Sequence, residues 1–292
     1  MGKSEKSNDS NDAKRDPKEI VARVVTPEIE RGNLELWHTP SREAYASVKV
    51  EGHHENLKIT GPEFEYLICH WIYEVTGEMP GNALLKRVTR VLCGRALYGS
   101  PEFAIHHRIA EVGGNIYVDL LDKSWDVIEV TPNGWWLAKN PPVKFIRSGV
   151  GRPLPMPVRG GNLDDLFELV NLNRREHRVL FLACLVATLQ THAAYPILML
   201  TGSQGSAKSS ACRILAGMVD PAEPQLVSGY SNERNLLVDA KHCHVIAVDN
   251  VSQINDELSD VHLYTSRRRR PWETNCSGPK TRRTKRERLI CS

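Results

Sequence analysis

The apolar residues in the first third of the chain follow two different periods. From about residue 35 to residue 59, apolar and polar residues alternate around Gly52, which predicts a β-hairpin. From Gly61 to Gly77, and again from Ala83 to Leu97, apolar residues recur at steps of three and four, so both segments are predicted to be helices. The face opposite the second apolar stripe carries Lys86, Arg87, Arg90 and Arg95. This basic face is either a solvated surface or a contact for a phosphate backbone.

Short alternating segments separated by glycine-rich turns follow between residues 103 and 147, and they predict a β-meander. Three tryptophans of this region are predicted to fill the core of the small sheet, the alternative being a platform on which nucleic-acid bases stack. These are Trp125, Trp135 and Trp136. The density of Pro and Gly between residues 147 and 161 predicts a linker and a domain boundary.

The apolar pattern after this linker is that of an α/β protein. Asn162 precedes a predicted helix whose first turn is acidic, as a helix N-terminus favours. A second predicted helix, from Glu176 to Leu189, leads to the apolar run from Ile197 to Leu200. Another apolar run, from His244 to Asn250, follows further along the chain. Both runs predict buried strands, and helices between buried strands predict a parallel sheet.

A turn of small residues joins the first of these strands to a helical pattern from Ala211 to Met218. This order suits a triphosphate, because successive backbone N–H groups can face phosphate oxygens at a helix N-terminus. Lys208 would reach the β- and γ-phosphates, and the Ser209 hydroxyl would bind Mg²⁺. Against the P-loop template G-x-x-x-x-G-K-[ST], Ala207 stands where a second glycine is usual. The predicted nucleotide-binding residues are Gly202, Ser203, Gln204, Gly205, Ser206, Ala207, Lys208, Ser209 and Ser210.

Asp249 lies near the end of the second predicted strand. Ligands of α/β sheets bind at the carboxyl ends of the strands. In a P-loop protein the carboxylate at this position, the Walker B Asp, holds the water shell of Mg²⁺. Asp249 is therefore predicted to act in catalysis and, with Ser209, to bind the metal ion.

The string TGSQGSAKSS, followed by VIAVDNVS, resembles a family of bacterial mobile-element ATP-binding proteins related to phage primase-helicases and superfamily 3-type helicase ATPases. The likeness extends to PVRGGNLDDL and YVDLLDKSWDVIEVTPNGWW and covers most of residues 40–260. It implies ATP and Mg²⁺ as cofactors, with Walker A roles for Lys208 and Ser209. Asn250 stands where many related ATPases carry a catalytic Glu. Asn250 cannot accept a proton as a carboxylate would, so the general base is unassigned, and the local candidates are Asp256, Glu257 and Asp260.

All periodicity ends at Val261. Residues 261–292 carry ten Lys or Arg and two Glu, a net charge of +8 in a chain whose total is +3. One interpretation is a basic arm for nucleic acid. The other is a truncation or a shifted reading frame, since codons permitted for Val261 to Arg268 can encode an apolar segment when read two bases later. In that case part of the catalytic site is missing, and the chain is expected to bind ATP without efficient turnover.

Composition restricts the class of protein. Charged residues make up 25% and hydrophobic residues 41% of the chain, as in soluble globular proteins. The longest apolar run, from Val179 to Leu189, is too short to span a membrane, and residues 1–16 lack the apolar core of a signal peptide, so a cytoplasmic protein is expected. The seven scattered cysteines predict reduced thiols. No metal site is expected at His242, Cys243 and His244, because neighbours on a strand point to opposite faces.

The predicted organisation is a disordered leader (1–18), an α+β domain (19–146), the linker (147–161), a partial P-loop ATPase domain (162–260) and a disordered or out-of-frame tail (261–292). The predicted fold class is thus an α/β P-loop NTPase core, with an incomplete parallel sheet, after a smaller α+β domain. The resemblance implies a DNA-dependent ATPase or helicase-like motor of a phage or mobile element, forming a homo-oligomeric ring if complete. The alternatives are a nucleotide-dependent regulatory or assembly protein without helicase activity, and a gene product without activity.

Overall fold

The computed structural model describes residues 16–191, 197–229, 233–240, 242–249 and 290–291. The helices are α1 (Pro17–Ile20), a π-helical turn (Val21–Val25), α2 (Thr26–Glu30), α3 (Pro62–Thr76), α4 (Asn82–Gly99), α5 (Leu163–Leu169), α6 (Arg175–Ala187), α7 (Lys208–Val219) and α8 (Glu233–Asp239). The strands are β1 (Leu34–His38), β2 (Ala44–Val50), β3 (His53–Lys58), β4 (Ile105–His106), β5 (Ile109–Val112), β6 (Asn115–Asp119), β7 (Val127–Thr131), β8 (Gly134–Leu137), β9 (Lys144–Phe145), β10 (Met199–Leu200), β11 (Val227–Ser228), β12 (Val248–Asp249) and β13 (Ile290–Cys291). Two compact units meet in sequence between Ile105 and His106.

The first unit contains an antiparallel sheet in the order β1, β2, β3. Strands β2 and β3 form the predicted hairpin, whose turn places Glu51 and Gly52 at positive φ of 44° and 96°. Such a turn matches the right-handed twist of the strands it joins. The core of the unit combines sheet residues such as Ala46 and Val48 with helix residues such as Phe64 and Leu92.

Helices α3 and α4 confirm the two helices predicted for this unit. Helix α3 begins at Pro62, which has no N–H to satisfy, and ends before Gly77, whose φ of 70° is the left-handed conformation of a helix C-terminus. In α4 the apolar stripe is buried, whereas Lys86 and Arg90 are exposed. This exposure fits both interpretations of the basic face, so its contact with nucleic acid stays a hypothesis.

The second unit begins with a four-stranded antiparallel sheet in the order β5, β6, β7, β8, which confirms the predicted meander. One cluster of buried apolar residues packs at this sheet and contains Ala110, Tyr117, Val127, Val143 and Phe145. The prediction that the three tryptophans fill this core is wrong. Trp136 is 44% exposed on the edge strand β8, and its indole N–H donates to Glu129 Oε2 at 2.8 Å. The guanidinium carbons of Arg147 and Arg159 lie 3.8 and 5.0 Å from the ring centroids of Trp125 and Trp135, respectively.

The predicted linker, residues 147–161, lies inside the second unit. The Leu154 N–H donates to Leu120 O at 2.8 Å, and the Arg152 N–H donates to Pro221 O at 2.8 Å. These hydrogen bonds attach the segment to the meander on one side and to the end of α7 on the other. The division into compact units therefore falls about forty residues before the boundary that the Pro and Gly density predicts.

The rest of the second unit contains the predicted helices, with Asn162 accepting a hydrogen bond from the Asp164 N–H at the start of α5. Buried residues of α5, α6 and α7 form one apolar cluster, among them Leu166, Phe181 and Leu215. Strands β11 and β12 pair in parallel, as do the short β10 and β13. Residues 290–291 of the predicted disordered tail thus pair with the chain as a strand. This part of the unit therefore combines helices with short paired strands. The P-loop NTPase fold stays a prediction.

The strand predicted for residues 244–250 is shorter than expected. Among the described residues 242–249, β12 contains Val248 and Asp249 only. Five residues earlier, the N–H groups of His244 and Val245 donate to the carboxylate of Asp220 instead of to a neighbouring strand. A side chain has therefore replaced the ladder hydrogen bonds at the start of this segment. None of the helices in the described ranges combines the length and the apolar character needed to cross a membrane.

Candidate functional site

The loop between β10 and α7 has the backbone of a tight turn. Gly202, Gly205 and Ala207 all have positive φ, at 156°, 81° and 62°. Residues 201–205 are exposed. Ala207 immediately precedes the helix and has the left-handed conformation. The P-loop template has glycine at this position, and glycine adopts that conformation without strain.

The close approach of Ser206, besides the positive φ, favours glycine at position 202. A Cβ atom built on Gly202 would lie 3.0 Å from Ser206 Oγ, a hydroxyl that itself donates to Ser203 O at 2.9 Å. The turn therefore closes on itself at this glycine. A side chain at position 202 would therefore require the Ser206 hydroxyl to move by a few tenths of an ångström.

Lys208 is the first residue of α7, and its ammonium bends back over the loop. It donates to Gly202 O at 2.9 Å, to Ser203 O at 2.7 Å and to Ser206 Oγ at 3.2 Å. The first turn of a helix also presents N–H groups that have no partner within the helix. The loop thus brings one cation and the positive end of a helix dipole to the same place, which is the arrangement that anions bind.

Asp249 lies at the end of β12, is half-buried, and stands opposite Ser228 in the parallel pair. Its negative charge acts on Cys212 in α7. Burial raises the pKa of the Cys212 thiol, and the carboxylate of Asp249 raises it further. Cys212 lies one helical turn beyond Lys208. The charge of Asp249 therefore acts on the helix that begins at the loop.

The remaining predicted site residues fall into two groups. Ser209 is half-buried in the first turn of α7, and Ser210 and Gln204 are exposed. Asn250, predicted as a catalytic residue, and the candidates for the general base, Asp256, Glu257 and Asp260, lie outside the described residues. Their roles stay predictions. Within the described ranges, no three His, Cys, Asp or Glu side chains are grouped so as to hold a metal ion.

Sequence reasoning missed a buried ion pair between Arg108 and Asp220 in the same unit. The Arg108 side chain is 1% exposed, and its Nε donates to Asp220 Oδ1 at 2.9 Å. The available signal was a single arginine inside an apolar strand pattern, together with an aspartate at the end of α7. Neither indicates a partner, because 112 residues separate the two along the chain.

The proximity of Asp249 to α7 gives a direct prediction. Replacing Asp249 by asparagine removes a negative charge that raises the pKa of Cys212. We expect iodoacetamide to alkylate Cys212 faster at pH 8 in the variant, because a lower pKa leaves a larger fraction of the thiol as the reactive thiolate. Mass spectrometry of the Cys212 peptide measures the rate. Cys93 is the internal control, since burial alone raises its pKa, and an unchanged Cys212 rate would place Asp249 away from the helix.

The conformation of Ala207 gives a second prediction. A residue with a Cβ at φ 62° is strained, so Ala207→Gly is expected to stabilise the unit by about 1 kcal/mol. The matched control is Ser210→Gly, an exposed position in the first turn of α7, where glycine is expected to cost about 0.5 kcal/mol. Urea denaturation measures both. Destabilisation by Ala207→Gly equal to that of the control would contradict the left-handed backbone.

No curated protein and no solved structure matches the chain. A family model does match, over a segment that includes the loop, Lys208 and Asp249 and that ends within the basic tail. Residues 163–266 match the family described as actinomycete integrative conjugative element replication protein, so this part of the chain is similar to replication proteins of mobile elements.

Proposed function

We propose that the chain binds ATP with Mg²⁺ at residues 202–210 and Asp249, and that it acts as a DNA-dependent ATPase in the replication of a mobile element. The observation that carries the proposal is the position of Lys208, whose ammonium is held over a loop with left-handed residues at 202, 205 and 207. The family match adds the replication context.

Each residue has a defined part in this proposal. The N–H groups of the loop and of the first turn of α7 would surround the phosphates, and the Lys208 ammonium would exchange its carbonyl partners for phosphate oxygens. The Ser209 hydroxyl and the Asp249 carboxylate would hold Mg²⁺, with phosphate oxygens and water as its other ligands. The metal ion would neutralise charge on the phosphates. This ligand set suits Mg²⁺, which prefers oxygen and keeps several waters.

DNA is the proposed partner because of the replication family. Motor function further requires that nucleotide turnover depend on DNA. A residue that orients the attacking water is needed for turnover, and its candidates follow Asp249 in the chain. The proposal therefore separates into binding, which Lys208, Ser209 and Asp249 supply, and hydrolysis, which needs additional residues.

The test measures both steps on the full chain. We expect a fluorescent ATP analogue to bind in the presence of Mg²⁺ and to be displaced by unlabelled ATP. Phosphate release is then measured with and without single-stranded DNA. Stimulation by DNA supports a motor, whereas binding without stimulation fits either a nucleotide-dependent regulatory or assembly protein or a chain that lacks part of the catalytic site. Failure of the wild-type chain to bind ATP analogues would overturn the proposal.

A further inference from the structure

The buried pair of Arg108 and Asp220 belongs to a larger set of hydrogen bonds in the second unit. Besides its bond to Asp220, the Arg108 guanidinium donates to the carbonyl oxygens of Asp119 at 3.1 Å, Arg152 at 2.8 Å and Pro221 at 3.3 Å. These partners come from the meander, from the segment after it and from the end of α7. The guanidinium is thus fixed on several sides, and its position determines where Asp220 Oδ1 lies.

Asp220 divides its two carboxylate oxygens between different parts of the fold. Oδ1 accepts from Arg108, while Oδ2 accepts from the backbone N–H groups of His244 at 2.5 Å and Val245 at 3.1 Å. The Asp220 N–H donates to Ala216 O at 2.7 Å, so the residue is also part of the C-terminal end of α7. One side chain therefore joins α7 to the segment that precedes Asp249.

This junction connects the two halves of the candidate site. Helix α7 begins at Lys208 and ends next to Asp220. The segment held by Asp220 begins at His244 and reaches Asp249 five residues later. The position of Asp249 relative to the loop thus depends on the parallel pairing of β12 with β11 and on the contacts of the segment before it. Among these contacts are the carboxylate of Asp220 and the His244 ring, whose Nε2 lies 2.5 Å from Thr188 O.

We propose that Asp220 is a positioning residue for the Mg²⁺ site, holding the segment that ends at Asp249 against the end of the helix that begins at Lys208. This inference rests on the proposed nucleotide function. Residues that orient metal ligands through hydrogen bonds commonly change metal-dependent affinity by about 10–100-fold when they are replaced.

The chemistry of the pair allows a sharp test, because charge and hydrogen bonding can be separated. Arg108→Met/Asp220→Asn removes both charges but leaves one amide oxygen, which can accept from the His244 and Val245 N–H groups. Arg108→Met/Asp220→Leu removes both charges and leaves no acceptor. The two double variants carry the same change at Arg108 and differ only in the hydrogen-bond acceptor at position 220.

Two measurements on the full chain distinguish these variants. The first is the affinity for a fluorescent ATP analogue with Mg²⁺ and with EDTA. With Mg²⁺, we expect the Leu variant to bind the ATP analogue about tenfold more weakly than the Asn variant does. With EDTA, we expect the two variants to bind it equally. The second is amide hydrogen exchange of residues 244–249, which we expect to be faster in the Leu variant while exchange in α7 is the same in both.

The outcomes separate the inference from the proposed function. Equal Mg²⁺ dependence in the two variants, or an equal loss with and without Mg²⁺, overturns the positioning role. Equal exchange of residues 244–249 also overturns it, because the carboxylate would then not hold the segment. If the wild-type chain binds no ATP analogue, the proposed function fails, and the exchange measurement still decides whether Asp220 holds the segment.

Discussion

Replacing Lys208 by alanine is expected to weaken binding of MgATP by about 100-fold or more, since charge-assisted hydrogen bonds to two phosphates contribute about 1.5–3 kcal/mol each. The Lys208 ammonium lies over the loop and contacts Gly202 O and Ser203 O. Alanine removes the cation but leaves the backbone N–H groups in place. A fluorescent ATP analogue titrated against the wild-type and variant chains measures the effect.

The matched control for this prediction is Lys139→Ala. Lys139 is an exposed lysine of the same unit that lies outside the loop. The Lys139→Ala substitution removes the same charge from the chain as Lys208→Ala does. It therefore corrects for any long-range electrostatic effect on a triphosphate. We expect the control to change affinity by less than about twofold, because exposed charges are largely screened beyond about 10 Å. Equal affinities of Lys208→Ala and wild type would refute the nucleotide site.

The elements that the sequence predicts correctly are those whose signal is local. Helix α3 follows from the three- and four-residue spacing of Phe64, Ile68 and Ile72, all buried, and from the glycine that ends it. The β2–β3 hairpin follows from alternation on either side of Gly52. In both cases the residues that determine the structure are neighbours in the chain, so a single sequence contains the information.

The tryptophans show why burial is harder to predict. Their size favours the core, yet β8 is at the edge of its sheet, so Trp136 has a neighbouring strand on one side only. Arginines from later in the chain then cover Trp125 and Trp135. Strand order and these distant partners decide the exposure of the rings, and neither is visible in local periodicity.

The candidate site divides in the same way. The loop was predictable because glycine, alanine and lysine at fixed spacing specify a backbone and a cation. The role of Asp220 was not, since a carboxylate at a helix end has several ordinary explanations and its partners lie 24, 25 and 112 residues away. Hydrogen bonds over such separations depend on the tertiary fold.

The largest expected effect on stability is that of Arg108→Met as a single change. Asp220 would keep its charge in a site where its side chain is 7% exposed, without the guanidinium that neutralises it. Breaking a buried ion pair by removing one partner costs about 3–5 kcal/mol. We expect the free energy of unfolding of the second unit to fall by that amount in urea denaturation, with hydrogen exchange assigning the transition to the unit.

The control is Arg108→Met/Asp220→Asn, which removes the remaining charge and keeps one oxygen that can accept from the His244 and Val245 N–H groups. Because a neutral amide costs less to bury than an unpaired carboxylate, this second change is expected to recover at least half of the loss. Recovery would show that the uncompensated carboxylate, and not the lost packing of Arg108, is what destabilises the single variant. A double variant that is no more stable than Arg108→Met alone would contradict this account, because the unpaired carboxylate would then not be the cause of the loss.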